Sequence, residues 1–298
     1  MHTNMITKLL LPLIALSSIG EISAQDAAHE LLRKAYPDSI VAADTSKVAF
    51  KNGKQYVIVG SSKDEKALLA ILADPRSDPK AFCISDMFVM KYPEPKTPIP
   101  TESSPPPPGF DPGRVRSTAF FDTMYGSTKE EVERHLVSLP WVTTFKLEGE
   151  VVSKIRITKI NGVDKKLAIV RNLLLALPPV RKKELRGIVF DVKGYSGYRQ
   201  KKIRGASFPS AHSWGIAVDI NWDTSYYHRD SKKKYANNVP QDVVNIFESQ
   251  GFIWGGRWSH FDSMHFEYRP ELILRNTPPN PRAEQDGGGQ PATRTESK

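Results

Sequence analysis

Ser210-Ala-His-Ser-Trp-Gly-Ile-Ala-Val-Asp-Ile-Asn221 is answered further along the chain by Asp262-Ser-Met-His-Phe-Glu267. In Gly215 to Asn221, Ile216, Val218 and Ile220 alternate with small or polar residues, the pattern of a strand that buries its aliphatic face and turns Asp219 to the other. Gly215 and Ala217 keep bulk off the Asp219 side. Met264 to Tyr268 alternates in the same way, with Met264, Phe266 and Tyr268 on one face and His265 and Glu267 on the other. If the two strands are neighbours, Asp219 and His265 converge, and His212, in the loop before the first strand, folds back to complete a triangle. Two imidazoles and one carboxylate are the ligands of an open zinc site, whose fourth position is left to water. Zinc lowers the pKa of such a water to roughly 7. A nearby carboxylate must still take the proton and pass it to the leaving amine. Asp262, in the turn entering the His265 strand, is placed to do so without serving as a ligand. As an alternative, Asp262 is a turn-forming residue. Glu267 reads as a partner of the metal ligands or a salt-bridge residue.

Cys83 is the sole cysteine, which excludes an intrachain disulfide and a cysteine-based zinc knuckle, so any metal falls to His and carboxylates. The net charge of +9 favours polyanionic partners. At the N-terminus a basic Lys8 precedes the apolar run Leu9 to Ile19, which closes in Ile22-Ser23-Ala24. This predicts a signal peptide over residues 1–24 and an exported protein, periplasmic or secreted. No Cys follows the apolar run to carry a lipid, and no later stretch is apolar enough for a membrane anchor. Export argues against nucleic acid as the partner of the basic surface; an anionic cell envelope fits better.

The remaining ~270 residues suffice for one sizeable core and a smaller module. Residues 25–91 read as a small N-terminal module, with helical patterns at Ala27–Ala35 and Glu65–Leu72 around a strand-like run, Gln55 to Gly60. His29, with no neighbouring ligand, reads as a surface residue. Residues 92–113 are proline-rich, with Pro105 to Pro108 consecutive, and predict a stiff spacer or a strap over the surface. Residues 114–275 form the expected catalytic region. In it, Ser127 or Thr128 caps a helix bearing Val132, Leu136 and Val137, Leu147–Ile160 alternates as strands, and Asp164–Leu177 is helical. Ile188 to Phe190 reads as a strand, Val239–Gln250 as a helix ended by Gly251, and residues 276–298 as a disordered tail. His228, in a polar loop, reads as surface. Trp254 and Trp258 are either groove walls or core. The expected architecture is α+β, with a small central antiparallel sheet flanked by helices and an N-terminal elaboration.

Taken together, Ser210-x-His212-x-x-Gly215-x-Ala217-x-Asp219, Gly251-Phe-x-Trp-Gly-Gly256-x-Trp258 and Asp262-x-Met-His265-Phe-Glu267 strongly resemble the D-alanyl-D-alanine carboxypeptidase and L-alanyl-D-glutamate endopeptidase family of zinc peptidases, which share the hedgehog/DD-peptidase fold. The resemblance covers residues 187–270. It implies Zn2+ as cofactor, His212, Asp219 and His265 as its ligands, Asp262 as the base and a peptidoglycan peptide as substrate. It further implies a catalytic role for His260, five residues before the last ligand, and an arginine upstream of the first ligand that stabilises the substrate carbonyl as negative charge develops. Arg199 is the choice for that arginine, with Lys201 or Arg204 as substitutes. The competing expectation is a wall-binding protein that keeps the site as a relic.

Overall fold

A computed structural model describes residues 24–275 apart from 59–62, 75, 147–148, 191–194, 205, 223 and 231–233. The apolar run of the expected signal peptide and the tail 276–298 lie outside the described residues. In chain order the elements are α1 (Ala24–Ala35), β1 (Ile40–Ala43), β2 (Lys47–Phe50), β3 (Gln55–Val57), α2 (Glu65–Ala73), α3 (Thr118–Tyr125), α4 (Lys129–Glu133), β4 (Leu136–Lys146), β5 (Gly149–Thr158), α5 (Val163–Leu175), α6 (Pro179–Glu184), β6 (Ala217–Asp219), α7 (Gln241–Glu248), β7 (Phe252–Trp254), β8 (His265–Tyr268) and α8 (Pro270–Leu274). The strands form three antiparallel sheets, ordered β1-β2-β3, β4-β5 and β6-β8-β7. The architecture is mixed α+β, as expected.

The last sheet carries the site, and its two faces do different work. Val218, Phe266 and Trp254 stand in register across β6, β8 and β7. Phe266 stacks on Phe247 of α7 with ring centroids 3.8 Å apart, and Trp254 stacks on Phe266 at 6.3 Å. Offset stacking of this kind adds about 0.5–1.5 kcal/mol beyond the area buried. Asp219 pairs with His265 across β6 and β8, so the opposite face holds the polar residues. The period-2 alternation therefore translates directly into a core face and a site face.

One apolar core runs from Leu32 and Tyr36 at the end of α1, through Phe120 and Phe121 of α3, to Leu272 of α8. The proline-rich segment lies on this body as a strap. Arg257 donates to the Thr97 carbonyl at 2.9 Å, and Gln241 accepts from the Ile99 amide at 2.8 Å. No helix among the described residues is long and apolar enough to cross a membrane.

Several local expectations are corrected. Thr128 does cap a helix, accepting from the Glu131 amide at 3.2 Å, but that helix ends at Glu133. Leu136 and Val137 instead open β4, where pairing with Thr158 and Ile157 of β5 overrides the helical spacing. Residues 188–190 do not form a strand: their amides converge on the Leu185 carbonyl, and Arg186 and Phe190 make an isolated bridge around Gly187. Residues 118–125 form a further helix, whose first turn the Ser117 side chain caps. His29 and His228, read as surface residues, are buried.

Candidate metal centre

Two glycines fix the first ligand. Gly215 follows the short turn bearing His212 and has φ +67°, a conformation that disfavours any side chain. A Cβ there would also lie 2.7 Å from Leu136 Cδ2, because the Gly215 carbonyl docks on the Thr158 amide at 2.9 Å. Gly197 passes so close to β5 that a Cβ would stand 2.2 Å from the Arg156 carbonyl oxygen. The Gly197 carbonyl in turn accepts from His212 Nδ1 at 2.6 Å. The β4-β5 ribbon thus acts as a backstop that sets the His212 ring.

His212 Nε2, Asp219 Oδ1 and His265 Nδ1 form a nearly equilateral triangle, with edges of 3.0, 3.1 and 3.2 Å. All three residues are buried, and among the described residues they are the group able to hold a metal ion. A tetrahedral zinc ion with ligand bonds of about 2.0–2.1 Å spaces its ligands about 3.3 Å apart, so the triangle fits. The tautomers fit as well. His212 gives its Nδ1 proton to Gly197, and His265 Nε2 lies 3.0 Å from Glu267 Oε2 and donates to it. Each ring therefore turns a lone pair inward, where the neighbours are another lone pair and a carboxylate. A cation is the occupant that this donor set demands, and such outer partners fix ligand orientation in metal sites.

The electrostatics agree. Burial holds His212 below the usual imidazole range, in spite of Asp219. Burial also acts to lower His265, but hydrogen bonds to Asp219 and Glu267 outweigh it and raise the group to about 9. The flanking carboxylates draw positive charge to this ring, and a dication meets the same demand. Asp219 overcomes its burial through His212 and His265 and lies well below the ordinary carboxylate range. Its second oxygen accepts from Ser196 Oγ at 3.1 Å and lies 3.8 Å from Lys201 Nζ.

Glu267 is both a partner of the ligands and a salt-bridge residue. Fully buried, it accepts from His265, from Arg116 through both carboxylate oxygens, and from Arg269 at 3.2 Å. Arg269 then pairs with Glu271 at 2.5 Å, which accepts from Tyr36 at 2.5 Å. The chain of charges ends just beyond α1.

Asp219 and His265 open into a cleft of about 330 Å³. Asp262 lines it, partly covered, with Oδ1 shielded from solvent and lacking a partner. Burial, opposed by the His265 charge and reinforced by Asp219, pushes its carboxyl up to about 7. His260 and Trp258 also line the cleft; the Trp258 ring lies 5.7 Å from that of His265, and both Trp258 and Trp254 are buried in the core. Arg199 is not on the cleft wall. Its amide supports the His212 carbonyl at 3.2 Å, and the residue is exposed. Lys201, Arg204 and Arg114 are there instead. Arg114 and its neighbour Asp111 were not singled out from sequence, since nothing local ties them to a site so distant along the chain.

Residues 204–268 match the family model of D-alanyl-D-alanine carboxypeptidase. The match begins just before the His212 turn and ends with β8, so it spans the triad, Asp262 and the tryptophan loop. No curated protein and no solved structure matches the chain. The matched segment and the His-Asp-His triad together support a zinc-dependent peptidase of peptidoglycan.

Proposed function

We propose that this protein is exported and hydrolyses a peptide bond in the peptide part of bacterial peptidoglycan, with His212, Asp219 and His265 holding zinc and Asp262 as general base. The observation that carries this reading is the pair of outward hydrogen bonds, to Gly197 and Glu267, that turn both imidazole lone pairs onto one point beside Asp219. Zinc bound there supplies a Lewis acid that lowers the pKa of a coordinated water to about 7. Asp262, shielded from solvent at one unpartnered oxygen, takes a proton from water and returns it to the leaving amine. Arg114, partly covered on the cleft wall, is better placed than Arg199 to face charge developing on the substrate carbonyl. Export rests on the apolar N-terminal run, and an anionic cell wall suits a protein of charge +9.

The family description favours removal of a terminal D-alanine, with cleavage of an L-Ala–D-Glu bond as the alternative. Mass spectrometry of defined muropeptides, incubated with zinc-loaded protein with and without chelator, separates the two. Chelator-sensitive cleavage with about one zinc per chain is the expected result. Failure of zinc-loaded protein to cleave any peptidoglycan peptide would leave the wall-binding alternative.

A further inference from the structure

The end of the proline-rich strap carries a buried carboxylate to the wall of the metal cleft. Asp111 is 1 % exposed, and its two oxygens accept four hydrogen bonds. Oδ2 accepts from His260 Nδ1 at 2.6 Å and from Arg114 Nη1 at 2.9 Å. Oδ1 accepts from the His260 amide at 2.9 Å and from Ser259 Oγ at 3.1 Å. The flanking strap residues fasten the same segment: the Phe110 carbonyl accepts from the Ser259 amide at 2.8 Å, and the Pro112 carbonyl from Trp258 Nε1 at 2.6 Å. The His260 ring is therefore held by a residue nearly a hundred and fifty positions away.

The charge on Asp111 is secure. Burial acts to raise its carboxyl, but the hydrogen bond from His260 and the Arg114 guanidinium hold it well below the usual range. With Nδ1 committed to Asp111, the remaining ring nitrogen of His260, Nε2, has no hydrogen-bond partner among the described residues, and the side chain is 49 % exposed. His260 and Arg114 both line the cleft that contains Asp219, Asp262 and His265. His228 packs edge-on to His260 with ring centroids 5.1 Å apart. Burial and the charges of Arg114 and His260 lower His228 to about 4, so at neutral pH it adds no positive charge against the His260 ring.

We propose that Asp111 is a positioning residue for the peptidase reaction: by accepting from Nδ1 it fixes the orientation of the His260 ring, so that Nε2 is offered to the substrate. This rests on the function proposed above. In its protonated form His260 donates a hydrogen bond from Nε2 to the substrate carbonyl oxygen as negative charge develops there, while its Nδ1 proton stays in the hydrogen bond to the Asp111 carboxylate. No proton leaves the ring; the proton for the amine comes from Asp262. The arrangement follows the general logic of a buried carboxylate that orients a histidine without itself being protonated. On this view the strap completes the active site.

The test is a double-mutant cycle on the zinc-loaded full chain, with Asp111→Asn, His260→Ala and their combination assayed on a cleaved muropeptide. Asp111→Asn is expected to lower kcat about 10²-fold, the scale of one misplaced oxyanion donor, with KM changed less than about threefold. In the His260→Ala background the same substitution is expected to change kcat less than about twofold, because residues acting as a unit are not additive. An equal loss in both backgrounds overturns the proposal. A second measurement needs neither turnover nor a folded variant: 15N NMR of His260 in the wild-type zinc-loaded protein. The neutral ring is expected to carry its proton on Nδ1; a proton on Nε2 refutes the role of Asp111. A correct tautomer without cleavage of any muropeptide would indict the peptidase reading instead.

Discussion

Glu267→Gln tests the charge network behind the metal centre, because three donor groups converge on this one buried carboxylate. Arg116, Arg269 and His265 all donate to it. Glutamine keeps the volume but offers one acceptor oxygen instead of two, so in either orientation its NH2 faces a donor. Arg269 retains Glu271, but Arg116 keeps one bond to the amide oxygen and one to the Arg114 carbonyl, and becomes a buried cation without a carboxylate. Breaking a buried pair in this way costs about 3–5 kcal/mol. The second consequence concerns the metal: His265 loses the anion that fixes its tautomer, which typically lowers metal affinity 10–100-fold. That corresponds to about 1.4–2.8 kcal/mol. Urea unfolding of metal-stripped protein should therefore show the larger loss, and chelator competition should show the smaller. The reasoning is refuted if the zinc Kd moves less than about threefold, or if the stripped variant loses under about 1 kcal/mol.

Three further outcomes are expected. Asp262→Asn should retain stoichiometric zinc by elemental analysis while kcat falls about 10²–10⁴-fold, whereas His212→Ala should lose both; full activity in Asp262→Asn would remove the base assignment. The same variant makes a pH prediction for the metal-stripped protein. Burial raises Asp262 from the usual carboxylate range to about 7, so its neutral form stabilises the fold below pH 4, and that contribution is lost as pH rises through about 7. Stripped Asp262→Asn should thus gain on wild type in urea titrations between pH 4 and 8, and a constant difference would contradict it. Gly215→Ala should cost at least about 1–2 kcal/mol for its left-handed backbone alone, and more for the contact with Leu136 at 2.7 Å; a thermal midpoint equal to wild type would show that the backstop yields.

The legible parts of the site are those encoded by period. Asp219 and His265 sit on one face of adjacent strands because alternation in a strand is a local property, and their side chains meet in register. Trp254 and Trp258 were not separable in this way: both are buried in the core, the first at the end of β7, and only the fold brings the second to the cleft as well. Leu136 and Val137 misled for the opposite reason, since helical spacing continues through them while a distant partner strand claims them. Arg199 lies close to the ligand turn in sequence, yet it supports that turn through its backbone, and the cleft wall carries Lys201, Arg204 and Arg114.

The sequence by itself determined the ligand types, their strand faces and the α+β class, because side-chain chemistry and alternation need only a few neighbouring residues. The tertiary structure decided which nitrogen of each histidine faces the metal, through Gly197 and Glu267. It also decided that Arg116, from outside the matched segment, holds Glu267, and that Asp111 at the end of the strap holds His260. Those pairings join residues some hundred and fifty positions apart, and no local pattern records them. They form because a buried charge must find a partner wherever the folded chain brings one within reach.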